Sequence, residues 1–143
     1  MILLTAAALA AAGCGDDDEA SSPAGAAEAY NEAVADGDGE RACGYLDQAA
    51  QEELRQATQG DARGSCPQII DLLAAFYDDA TKDRLRDAEV KAATEGDRAA
   101  ARFTSPAGFG GPDREQTMEL RRVDDEWKIV SLGLKIETPP EAP

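Results

Sequence analysis

The sequence predicts an α+β fold in which N-terminal helices pack on a curved, cone-like sheet of four antiparallel strands. Three observations carry that expectation. Apolar residues recur at helical spacing through the first half of the chain, from Ala26 to Tyr77. After Lys82 the period falls to two: Ala88, Val90 and Ala92 alternate, then Ala99, Ala101 and Phe103, with a Glu95-Gly96-Asp97 turn between them. Helices and strands are therefore segregated along the chain, which separates this fold from an interleaved parallel design. At 143 residues there is room for one domain with a core of its own.

The first helix is expected after Ser22, a capping residue, with Pro23 in the first turn and Ala26, Tyr30, Ala33 and Val34 on one face. Asp36-Gly37-Asp38-Gly39 ends it, and Asp38 is placed to cap the next helix. Asp36, Asp38 and Glu40 look like the start of a calcium loop, but Arg41 stands where that loop needs glycine, so a turn between helices is expected. Glu40 to Thr58 reads as one or two short helices burying Cys43, Leu46, Ala50, Leu54 and Ala57. A break over residues 60–64 precedes Ser65-Cys66-Pro67, another cap with an early proline. The most apolar helix follows, with Ile69, Ile70, Leu73, Phe76 and Tyr77 on its stripe. The total is three or four helices. Beyond the first hairpin, residues 105–113 (SPAGFGGPD) form a loop without the Gly-Lys-Ser/Thr ending of a phosphate cradle. The last two strands are expected at 116–123 and 126–132 around Asp124-Asp125, burying Met118, Leu120, Trp127 and Ile129.

The N-terminus gives an address. Residues 1–13 (MILLTAAALAAAG) are apolar apart from Thr5, too short to span a bilayer but the length of a signal-peptide core. The run stops at Cys14 and turns acidic at once, in Asp16-Asp17-Asp18-Glu19. Small residues before Cys14 suit a lipoprotein cleavage site, although Ala11 stands where leucine is usual and Leu9 lies two positions further back. The basic residues that open such leaders are expected upstream of Met1. On this reading residues 1–13 are removed and Cys14 becomes a lipidated N-terminus. Residues 14–26 are then an acidic flexible tether, 27–136 a single cone-like domain, and 137–143 a disordered tail. The expected location is the extracytoplasmic face of the cell membrane, held through covalent lipid on Cys14. Of the three cysteines, Cys43 and Cys66 then remain as an even pair. They are expected to form a disulfide on export, or to sit as two buried thiols in a reducing compartment.

Composition narrows the function classes. With 29 acidic against 14 basic residues the formal charge is −15, which repels phosphate backbones and excludes nucleic acid as a partner. Anionic headgroups are repelled likewise, so membrane attachment must come from lipid. The chain has no histidine, which removes His-based catalysis and most zinc or iron sites. No carboxylate spacing suits a metal, so neither metal nor cofactor is expected. Residues 82–86 and Arg121-Arg122 are basic clusters that read as solvated faces with local ion pairs.

The stretches AAEAYNEAVADGDGERACGYLD (26–47) and MELRRVDDEWKIVSL (118–132) resemble the nuclear-transport-factor-2-like superfamily, also described as ketosteroid-isomerase-like or SnoaL-like. More narrowly, the chain resembles small lipoproteins of high-GC Gram-positive (actinobacterial-type) bacteria, over about Ala26 to Ile136. The resemblance implies that Trp127 packs the last strand into a cone and that a Cys43–Cys66 disulfide ties the second helix to the third. It also raises isomerase chemistry, in which an Asp base and an acidic donor line an apolar pocket. Tyr30, Tyr45 and Tyr77 offer phenols, but the strand positions expected to face inward carry no carboxylate, so packed rings are the simpler reading. The candidate pocket lining is Tyr30, Tyr45, Phe76, Tyr77, Phe103, Met118, Leu120 and Trp127. Three functions follow in order: a non-catalytic domain binding a small apolar ligand or a protein, an isomerase- or dehydratase-type enzyme, and an accessory assembly subunit that forms a homodimer through the sheet.

Overall fold

Short polar side chains start the helices. In the computed structural model, which describes residues 21–58, 64–106 and 113–134, α1 (Pro23–Ala35) begins where Ser22 Oγ accepts from the Gly25 N–H at 3.0 Å. Asp38 caps α2 (Gly39–Gly44) and Asp47 caps α3 (Gln48–Ala57) in the same way. At α4 (Cys66–Phe76) the return bond runs from the Ser65 N–H to Gln68 Oε1, 3.1 Å. Asp78 caps α5 (Asp79–Asp87), 2.7 Å from the Thr81 N–H. Each cap satisfies a donor that the first helical turn leaves without a partner.

The expectation of three or four helices is corrected to five, because Glu40–Thr58 splits in two and α5 occupies residues assigned partly to the period-two region. Only Thr81 and Leu85 are buried in α5, one turn apart, which is too little apolar repeat to announce a helix. Helix α1 also takes in Pro23 to Ala26, with Ala26 fully buried, so those residues are domain rather than tether. Ala57 and Phe76, expected inward, are exposed. Helix α5 is fastened to the end of α1 by Arg86, whose Nη2 lies 2.8 Å from Asp36 Oδ1.

The strands β1 (Lys91–Glu95), β2 (Arg98–Ser105), β3 (Arg114–Val123) and β4 (Glu126–Ser131) form an antiparallel meander in that order. Asp124 and Asp125 both have positive φ, 52° and 65°, the backbone of a tight hairpin that aspartate tolerates. Ala99, Ala101, Phe103, Met118, Leu120, Trp127 and Ile129 point to the helices and are buried. Strand β1 differs: all five residues are exposed, including Ala92, which alternation had placed inside. Val90, just ahead of it, is buried as expected.

Two devices join the layers. The main chain at Tyr45–Asp47 runs along β4, giving an Asp47 N–H to Ile129 O bond of 3.0 Å and an Ile129 N–H to Tyr45 O bond of 2.8 Å. A Cys43–Cys66 disulfide ties α2 to α4, where Gly39 packs so closely that an added Cβ would collide with the Pro67 carbonyl oxygen. Beyond β4, Glu53 of α3 accepts from the N–H groups of Leu132 and Leu134 at 3.2 and 2.8 Å. No helix among the described residues is long and apolar enough to cross a membrane.

Replacing Cys43 and Cys66 together by alanine should lower stability by about 3 kcal/mol, the loop-closure value for their separation. Urea midpoints with and without reductant, compared with the double variant, check this.

Candidate functional site

The α1 residues Tyr30, Asn31 and Val34 share one helical face, and that face looks onto β2 and β3. Between them lies a cavity of about 100 Å³. Leu54 of α3, Ile70 and Leu73 of α4, Tyr77, and Leu85 of α5 close the helical side. Phe103, Ser105, Gln116 and Met118 form the floor, with Leu132 and Leu134 at the C-terminal wall. That wall is held in place by Glu53 and by Gln116, whose Nε2 donates to Leu132 O at 2.7 Å. Gly133 turns between the two leucines with φ +67°, pressed against the Thr117 carbonyl where a side chain would not fit.

The lining is apolar with neutral polar groups set into it, and none of its residues is charged. Burial pushes the Tyr30 phenol well above its ordinary value of 10.0, and the nearby Tyr77 and Glu53 push it further. Burial raises Tyr77 as well. Both phenols therefore stay protonated across the physiological range and serve as hydrogen-bonding groups rather than bases. Glu53, the carboxylate whose field reaches Tyr30, is engaged with two main-chain donors. Asn31 is the group left over: it is 3% exposed, and its Nδ2 has no partner among the described residues. A buried donor without an acceptor costs about 1–3 kcal/mol. The volume admits a few water molecules or one very small ligand, against the roughly 300–1,000 Å³ of a site for drug-sized molecules.

Four of the eight expected lining residues meet in this cavity: Tyr30, Tyr77, Phe103 and Met118. Leu120 and Trp127 are buried elsewhere in the core, and Tyr45 is half-buried beside β4. Phe76 is 61% exposed on the far side of α4 and takes no part. Cys14 lies outside the described residues. Asn31, Ser105 and Gln116 were missed. Asn31 had a readable signal, since it interrupts an otherwise apolar helical stripe; Ser105 and Gln116 gave none.

The uncovered face of the sheet holds two broader, open depressions of about 570 and 650 Å³ that share Ala93 and Ala100. Arg98 and Arg121 with Glu95 and Glu119 surround one; Lys91 and Arg102 with Glu89 and Glu115 surround the other. Of the basic clusters, Arg84 and Arg86 pair with Asp113 and Asp36, and Arg122 pairs with Asp125.

A family model described as "Domain of unknown function (DUF4878)" matches residues 12–130. No curated protein and no solved structure matches the chain.

Because the Tyr30 pKa is higher folded than unfolded, its contribution to stability is complete below about pH 10 and is lost as pH climbs above that value. Tyr30→Phe should therefore show a smaller fall in urea midpoint than the native chain between about pH 8 and pH 11.

Proposed function

The chain belongs to the DUF4878 family, and on that premise we propose that it is a lipid-anchored domain on the extracytoplasmic face of the cell membrane that binds a small neutral ligand without transforming it. The observation that carries the binding half is the Asn31 amide, buried beside a cavity whose lining has no charge. An amide donor set on an apolar helical face, with no acceptor among the described residues, takes its partner from what enters the cavity, and a small ligand can replace water there. The ligand suited to it has few heavy atoms, an apolar body and one hydrogen-bonding group at the Asn31 end. Helices over a four-stranded antiparallel sheet, with a cavity between the layers, favour a nuclear-transport-factor-2-like cone. An isomerase or dehydratase would need a base facing its substrate, and the cavity lining offers phenols held protonated. The address rests on residues 1–14, where an apolar run of signal-core length ends at a cysteine, and on the Cys43–Cys66 disulfide, which suits an oxidising compartment.

Two outcomes test the two halves. Asn31→Leu should raise the stability of the ligand-free chain by about 1 kcal/mol, since it removes an unpaired buried donor, and should abolish any small adduct seen by native mass spectrometry. A destabilised variant, or one that keeps its adduct, counts against the cavity as a site. Cys14→Ala should move the protein from the membrane fraction to the soluble fraction; unchanged partitioning ends the lipid-anchor reading.

A further inference from the structure

The sheet has two edges, and they are treated differently. At β4 the Tyr45–Asp47 main chain is hydrogen-bonded to both main-chain groups of Ile129, so that edge is covered at its centre. Nothing among the described residues pairs with β1 on its outer side, and β1 is exposed on both faces along its whole length. Its register with β2 shows which groups are open. Glu95 pairs with Arg98 across a two-residue turn, and pairs alternate from there, so Lys91, Ala93 and Glu95 bond to β2. The Asp97 carbonyl turns the other way and accepts from the Arg122 N–H, as that alternation requires. The main-chain N–H and C=O groups of Ala92 and Thr94 therefore point off the edge.

We propose that this edge binds the same edge of a second copy, β1 against β1, antiparallel about a two-fold axis at Ala93. Reversed on itself, Lys-Ala-Ala-Thr-Glu sets Lys91 opposite the second copy's Glu95 and Ala92 opposite its Thr94. Two requirements that need not coincide are met by this one register. Ala92 and Thr94, whose main-chain groups are open, face each other as hydrogen-bonded pairs, and the Ala93 pair at the axis needs no such bonds. The same register brings opposite charges together at both ends. It also relieves a local conflict: within one chain Lys91 lies directly opposite Arg102, a like-charged cross-strand pair, and the second copy's Glu95 would stand on the other side of Lys91. Strand β1 has no proline, bulge or inward charge to blunt it, and its two charged residues, Lys91 and Glu95, are of the signs that pair in this register. Beyond the five residues Glu89 would meet the second copy's Asp97, so the contact is confined to the strand and the association is weak. The pairing uses neither the cavity nor the lipid and stands apart from the binding proposal.

Sedimentation of the purified full chain over a concentration series tests it. The native chain should self-associate, and Lys91→Glu or Glu95→Lys alone should weaken that association about tenfold or more. Mixing the two single variants should restore it, because each then supplies the charge the other lacks; misfolding could not produce that rescue. Ala93→Cys should cross-link to a second copy on mild oxidation, and Ala92→Cys, off the axis, should cross-link much less. A monomer at every concentration, no rescue on mixing, or equal cross-linking of the two cysteine variants overturns the pairing.

Discussion

Two hydrogen bonds between the Ile129 main chain and the segment Tyr45–Asp47 hold the helical layer to the sheet, and much else depends on them. Each is worth only about 1 kcal/mol net, so their importance is positional. They fix Asp47, whose carboxylate accepts from the Ala50 N–H and starts α3. They set Cys43 just upstream, within reach of Cys66 on α4, and bring the Gly44 carbonyl to the Lys128 ammonium. They also cover the β4 edge at Ile129, whereas among the described residues nothing is paired with the outer side of β1. One junction thus determines where α3 begins, how α2 is stapled, and which edge faces outward.

The size of the cavity follows from the composition of the layers around it. Ala26, Ala27, Ala33, Ala42, Ala50 and Ala101 have no exposed surface, and side chains this small let helices and sheet approach closely. The larger fully buried groups, Ile69, Ile70, Met118, Leu120, Ile129 and Leu132, fill most of what remains. Space survives beside Tyr30 and Phe103, where rigid rings meet Asn31 instead of another aliphatic chain. The cavity is therefore a local departure from an otherwise dense core. The clasp of Glu53 and Gln116 on the segment after β4 keeps it from collapsing inward from that end.

What could be read from sequence was what local chemistry decides. Ser22, Asp38 and the Ser65-Cys66-Pro67 start announced three helix beginnings, and the two short turns fixed the hairpins, because caps and turns depend on neighbouring residues alone. Helix α5 escaped notice because its fold-level support is two buried side chains and a distant Arg86–Asp36 pair. Ala92 was misplaced because alternation reports which face of a strand is which, but not whether a second layer reaches far enough to cover it. The site was half legible for the same reason. Tyr30, Phe103 and Met118 lie on clear apolar faces, whereas Phe76 shares the apolar character of its helix but stands on the side away from the sheet.

A chain with net charge −15 repels its own copies at long range, which keeps most encounters from becoming contacts. The outward rows of the sheet are the exception in composition: Lys91, Arg98, Arg102, Arg121 and Lys128 are set among Glu95, Glu115, Glu119 and Glu126, close to local balance. Repulsion elsewhere and balance here together select orientation, since two copies approach most easily where neither sign dominates. Attachment to one membrane surface, if Cys14 is lipidated as proposed, would add what a five-residue strand lacks. It raises the effective concentration of copies without adding any contact, so a pairing that is weak in solution can be well populated on that surface.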